Sequence, residues 1–290
     1  MRIGLQLYGP QLAPTANVAG AAWPGAALDP LRVADGQVAV DFLLLGGLAP
    51  GAVSGIGRAA DLIVPLAAAS LAMTTPGVEI VLKLNGFAFD PAHVARIGGN
   101  VARLTRENWT LYLDGEGARW GADLDAKTRA IRLREFLAAV RQHWAGAADL
   151  AGEQLRSKGR MVGPRPKASP PLLLDAAIVA DRELRDIDVQ AEAIGIDGLA
   201  QHKGSRPLLV TCPVVLGRSE VEADAMAREC RALDRDRILV GTPQAVGERI
   251  AAALNGREVA RLALGFPALR IAEFGMVRQS LLPALRRIAA

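Results

Sequence analysis

The sequence is poor in the residues that most often advertise function. Aromatic residues make up 4% of its 290 positions, and basic and acidic residues nearly balance at 34 and 30. A nucleic-acid surface needs a concentrated basic face and rings on which bases stack, so neither composition nor charge favours one. The two cysteines, Cys212 and Cys230, are too few for a disulfide framework or a metal knuckle. The three histidines, His93, His143 and His202, are scattered without ligand spacing, so no metal site is expected. The apolar run LIVPLAAASLAM is interrupted by Pro65 and is too short to span a bilayer. The opening MRIGLQLYGP runs directly into strand-like sequence, without the basic and then apolar pattern of a secretion signal. A cytoplasmic protein that touches neither membrane nor nucleic acid is the expectation. No GxSxG elbow and no GxGxxG loop after the first strand is present.

What the chain does have is alternation. RIGLQLYG, DFLLLGG, VEIVLKLNG, WTLYLDGEG, LLLDAAIV, IDGLA, PLLVTCPVVLG and VARLALGFPA read as strands, and most are separated by helical patterns. LDPLRVADGQVAV and ADLIVPLAAASLAM have helical spacing. DPAHVARIGGNVARLTR starts with Asp90 as N-cap and a proline behind it. In AKTRAIRLREFLAAVRQHW, residues Leu133, Phe136, Leu137, Val140 and Trp144 share a face. Ser219 with Glu222 forms a capping box, and Thr242 caps a helix that begins at Pro243. Eight β-then-α units in this length predict a single (β/α)8 TIM barrel over residues 1–290, with an insertion between the fourth and fifth strands. In such barrels the chemistry sits at the C-terminal ends of the strands. There the sequence offers Tyr8, Gly46, Asn85, Asp114, Gly115, Glu116 and the segment that begins at Asp175. The stretch WTLYLDGEGARWGAD thus reads as a strand that opens into a pocket-lining loop with Arg119 and Trp120 behind it.

Several segments together resemble the bacterial luciferase-like family of flavin-dependent enzymes. VAVDFLLLG is similar to its second strand, VEIVLKLNGFAFDPAHVAR to its third strand and following helix, and WTLYLDGEG to its fourth strand. RPKASPPLLL resembles the approach to the fifth, GRSEVEADAMA the helix start after the seventh, VGTPQAVGERI a late Gly-Thr-Pro helix start, and FGMVRQSLLPALR the usual ending. The resemblance implies a two-component monooxygenase, in which a separate flavin reductase supplies reduced FMN and oxygen is used to oxygenate a small organic substrate. It also implies a homodimer. Alternatives under the same resemblance are an F420-dependent hydride-transfer oxidoreductase and a non-catalytic flavin-binding or partner subunit. It places Asn85, Gly86, Asp114, Gly115 and Glu116 beside the flavin ring. The family's Gly-Ser-Ser phosphate turn after the fifth strand is replaced by Ala176, Ala177 and Ile178, which leaves Arg182 or the Lys203 and Arg206 region to supply charge. For acid–base work the sequence suggests His202 and Glu116, while Cys212, inside a strand, reads as core.

Overall fold

The computed structural model describes residues 1–8, 26–33, 35–47, 57–84, 90–113, 125–146, 150–157, 163–179, 187–229, 234–267 and 271–289. Eight parallel strands form the barrel: β1 (Arg2–Leu7), β2 (Phe42–Leu45), β3 (Glu79–Leu84), β4 (Trp109–Leu113), β5 (Leu172–Asp175), β6 (Ala191–Gly195), β7 (Leu208–Leu216) and β8 (Val259–Gly265). Each pairs in parallel with the next, and β8 pairs with β1 through Arg2 and Arg261 to Gln6 and Gly265, which closes the sheet. A short strand, Leu239–Gly241, adds to the C-terminal half of β7.

Helices cover the outside. They are α1 (Gly57–Thr74), α2 (Pro91–Thr105), α3 (Ala126–Ala145), the single turn α4 (Ala176–Val179), α5 (Glu220–Glu229), α6 (Pro243–Leu254), α7 (Ile271–Met276) and α8 (Leu282–Ala289). Their starts follow the local chemistry. The Asp90 carboxylate accepts from the Ala92 amide at 2.8 Å, and Thr242 Oγ1 accepts from the Ala245 amide at 3.3 Å. Ser219 and Glu222 cap α5 reciprocally, through the amides of Glu222 and Arg218. Between β4 and β5 lies the expected insertion, which includes an antiparallel hairpin, Leu150–Ala151 with Arg156–Ser157. It is fastened to α3 by the Glu135 carboxylate, which accepts from the amides of Glu153, Gln154 and Leu155 at 2.6, 2.9 and 2.8 Å.

Three local expectations are corrected. LLLDAAIV is a strand only to Asp175, and a helical turn then takes Ala176–Val179. IDGLA is not a strand: Ile196–Gln201 is a 3-10 segment, and the strand is the preceding Ala191–Gly195. LDPLRVADGQVAV is not an α-helix: its described helical part belongs to a 3-10 segment, Ala26–Leu31, with Pro30 inside it, and Arg32 then bridges to Val38 in antiparallel fashion.

Period-2 alternation assigns the two faces of the sheet. Ile3, Leu5, Leu43, Leu45, Ile80, Leu82, Leu111 and Leu113 join the large core shared with the helices. A second cluster contains strand residues alone, with Phe42, Leu44, Val81, Tyr112, Leu173, Ala191, Ala193, Leu209 and Ala263, and fills the barrel interior. Gly4 makes room in it, because a Cβ there would lie 2.5 Å from the Phe42 ring and from its carbonyl oxygen.

Beneath this apolar layer the floor is ionic. Glu79 of β3 is 3% exposed. Its carboxylate accepts from Arg2 of β1, from Thr110 of β4 and, at 3.0 Å, from Arg261 of β8. Arg261 also reaches Gln190 at 3.2 Å. Burial pulls the Arg261 guanidinium down from its ordinary pKa, an effect that Glu79 opposes. Removing the carboxylate strands a buried cation. Glu79→Ala is therefore expected to cost about 3–5 kcal/mol of stability in urea unfolding, against ~1 kcal/mol for the half-exposed Arg2→Ala. Equal losses from the two variants would show that Glu79 does not organise the floor.

Candidate functional site

The same alternation that buries Glu79 and Val81 carries Lys83 to the C-terminal end of the barrel interior. Lys83 is 6% exposed, and its Nζ lies 5.0 Å from the centre of the Tyr112 ring, on the neighbouring strand β4. The chain after β2 is shaped around it. Gly47 has φ +79°, and a Cβ at that position would stand 3.1–3.2 Å from the Cδ, Cε and Nζ atoms of Lys83. The positive φ favours glycine there, and any side chain would push the lysine stem aside by a few tenths of an ångström. On β1, the Gln6 side chain donates to the Gly46 carbonyl at 3.4 Å, and Tyr8 packs its phenol against the Gly265 backbone on β8. By register, Asp175 of β5 and Thr211 of β7 continue this inward-facing ring, and Thr211 donates to the Ile194 carbonyl at 3.4 Å. The barrel thus has a charged floor, an apolar middle and a polar mouth.

Of the residues expected at the site, Asn85, Gly86, Asp114, Gly115, Glu116 and Arg182 lie outside the described residues, as do Arg119 and Trp120. Ala176 and Ala177 follow directly on β5, at its C-terminal end. The Ala177 amide there donates to the Asp175 carboxylate at 2.9 Å. That carboxylate occupies an amide which an anionic ligand would otherwise use, and it adds a negative charge beside the turn.

His202 lies elsewhere. Its Nε2 is 3.4 Å from Glu192 Oε2, and Glu192 sits on the outward face of β6, opposite the first residue of β7. Arg257, which precedes β8, donates to the His202 carbonyl at 2.8 Å. These neighbours set His202 at the N-terminal side of the barrel, away from the mouth.

His143 is fully buried on the outside of the barrel. Ser157 donates its single proton to Asp90 at 3.0 Å, so the 2.9 Å contact between Ser157 and His143 is a donation from His143 Nε2–H. The serine stands between the histidine and the acid, an order that fastens the hairpin to α2 and α3 and does not activate the hydroxyl. Among the described residues, no group of three or more His, Cys, Asp or Glu side chains is placed to hold a metal, and no helix is long and apolar enough to cross a membrane.

The sequence reading passed over Lys83, Gln6 and Tyr112. A signal was present: inside a closed barrel both faces of a strand are buried, so a lysine in the middle of VEIVLKLNG has no solvent side to occupy.

No protein-family model and no curated protein sequence matches the chain. Solved structures do match in fold. A monooxygenase from Streptomyces bottropensis is 19% identical with a TM-score of 0.68, over 98% of this chain and 99% of that one. Riboflavin lyase, solved with modified FMN and its substrate riboflavin, is 14% identical with a TM-score of 0.67, over 100% and 92%. An F420-dependent secondary alcohol dehydrogenase bearing an F420–acetone adduct is 11% identical with a TM-score of 0.67, over 98% and 99%. The protein therefore shares, along its whole described length, the (β/α)8 barrel on which these enzymes are built. At such identities the likeness is one of fold.

Cys212 faces outward from β7 into the helix-covered core, and burial pushes its thiol pKa up. The native state thus holds a proton that the unfolded chain releases above the ordinary thiol value of 9.0. Stability from this group is complete below that pH and is lost as pH rises, by up to about 1.4 kcal/mol per pH unit. Cys212→Val is expected to flatten the fall in unfolding free energy above pH 9 relative to the parent. Parallel curves would contradict the burial.

Proposed function

We propose that the protein is a flavin-dependent monooxygenase that uses reduced FMN and oxygen to oxygenate a small organic substrate at the strand C-termini of the barrel. The observation that carries this reading is the mouth itself: a buried lysine, an amide side chain and two phenols at the strand ends, on a fold shared end to end with enzymes whose structures hold modified FMN or an F420–acetone adduct. Reduced flavin supplies the electrons with which oxygen is activated.

The described residues fit the heteroaromatic ring. Gln6 and Lys83 offer donors for its carbonyl and nitrogen edges. They do not offer a phosphate cradle at β5, where Asp175 already takes the Ala177 amide. On this reading the phosphate is held by other residues, and affinity is modest, which suits an enzyme fed by a diffusible reduced cofactor. The apolar layer of Phe42, Leu44, Val81, Leu173 and Leu209 closes the throat from below and keeps water from reaching the reacting groups through the barrel. Tyr8, Tyr112 and Asp175 are the described groups able to exchange a proton near the ligand. The reading carries with it a flavin reductase as partner and a homodimeric assembly. A second reading, hydride transfer with F420, is supported by the likeness to the F420-dependent alcohol dehydrogenase over 98% of the chain.

Anaerobic titration separates the two. Purified protein titrated with reduced FMN, and in parallel with reduced F420, is expected to bind FMN, and mixing the complex with oxygenated buffer is expected to oxidise the flavin with kinetics different from those of free reduced FMN. Binding of F420 alone would replace the first reading by the second. Binding of neither would leave a barrel without flavin function.

A further inference from the structure

We propose that Asn255 is a site of spontaneous covalent modification, at which the side-chain amide is lost and the residue becomes aspartate or isoaspartate without an enzyme. The inference is independent of the flavin reading and concerns the turn that joins α6 to β8.

The chain leaves α6 through a type II turn. Asn255 has φ −57° and ψ 130°, Gly256 has φ +70°, and the Arg257 amide closes the turn on the Leu254 carbonyl at 3.1 Å. The Gly256 amide, whose nitrogen has to attack, is therefore not the one that holds the turn together. Both Asn255 and Gly256 are exposed, and a Cβ on Gly256 would meet nothing within 4 Å. Ring closure requires the peptide between them to rotate, and glycine permits that rotation at the least steric cost. Among the described residues, the Asn255 side chain has no hydrogen-bond partner.

The other described asparagines are protected. Asn100 lies inside α2, donates its side-chain amide to the Arg96 carbonyl at 3.0 Å and is followed by Val101. Asn108 donates to the Gly77 carbonyl at 3.2 Å and is followed by the buried Trp109.

In the first step the Gly256 nitrogen gives its proton to water and bonds to Asn255 Cγ. The bond from Cγ to the side-chain nitrogen breaks, and that nitrogen takes up a proton and leaves as ammonia. A five-membered imide remains. Water then opens the ring, at the side-chain carbonyl to give aspartate or at the main-chain carbonyl to give isoaspartate. Ammonia is exchanged for water without oxidation or reduction, and the chain gains about one dalton. Either product places a negative charge at the carbonyl end of α6, where the helix dipole disfavours it. Isoaspartate also adds one carbon to the main chain just before Arg257, which donates to the His202 carbonyl at 2.8 Å, and four residues before Arg261 of the ionic floor comes Arg257 itself.

The experiment incubates the full-length protein at mildly alkaline pH and physiological temperature, beside a synthetic peptide of the same segment, AALNGREVA. Peptide mapping by mass spectrometry follows Asn255, Asn100 and Asn108, and thermal unfolding verifies that the protein stays folded. Asn255 in the protein is expected to convert at a rate within about tenfold of the peptide, with isoaspartate among the products, while Asn100 and Asn108 stay unchanged. Gly256→Ala is expected to slow conversion on the order of tenfold, because a Cβ obstructs both the attack and the rotation. Asn255→Gln should abolish the mass gain in this segment. Conversion slower than that range would show that the folded turn holds the peptide away from the ring geometry, and would overturn the inference. Conversion of Asn100 or Asn108 as fast as Asn255, or an unchanged rate in Gly256→Ala, would overturn it as well.

Discussion

One carboxylate ties the barrel together. Glu79 is on β3, yet it holds Arg2 on the first strand, Arg261 on the last and Thr110 on the next strand along. Closing a parallel barrel brings the two ends of the chain's strand order side by side, and that junction, β1 against β8, is bridged from below by Glu79. The cost of burying an ion is offset only when its partners are also in place. A network of this kind therefore favours the closed register over a slipped or open sheet. Above the ionic floor, Phe42 crosses over Gly4 and begins the apolar layer of the interior.

The rest of the interior follows from that partition. With charge confined to the floor and apolar side chains filling the middle, polar groups are permitted again only at the C-terminal mouth, where loops and ligands meet the strands. Lys83 is two residues beyond Val81 and four beyond Glu79 on the same inward face. One strand thus passes from floor to core to site within six residues. The functional reading depends on this geometry: a lysine held by tyrosine and bare backbone, facing upward from an apolar bed.

Much of the architecture was legible because local chemistry and tertiary packing agree. Asp90 with Pro91, Ser219 with Glu222 and Thr242 with Pro243 mark helix starts in the sequence and make the corresponding hydrogen bonds in the structure. Where the reading slipped, tertiary context prevailed over propensity. AEAIG has little of the β-branched or aromatic character expected of a strand. It becomes one because Ala191 and Ala193 are small enough to face a barrel already filled by Phe42 and Tyr112. IDGLA, more apolar, is left to a 3-10 segment. The site was less legible. Glu79 and Lys83 alternate with leucine and isoleucine, which in isolation reads as a solvent-facing edge, and only closure of the sheet turns that face inward. The glycine-spaced DGEG and Asn85–Gly86, which carried the expectation of a pocket, lie outside the described residues. His202 drew attention as a loop histidine near a strand, but its chain neighbours belong to the start of β7, the opposite end from the mouth.

The account stands on a flavin ring lying at the C-terminal mouth beside Lys83. A crystal structure of the protein with FMN bound tests this most directly. The account predicts ring density over the ends of β2, β3 and β4, with a carbonyl or nitrogen of the ring within hydrogen-bonding distance of Lys83 Nζ. Ring density on the outside of the barrel, between α3 and the Leu150–Ser157 hairpin, or anywhere out of reach of Lys83, would contradict it.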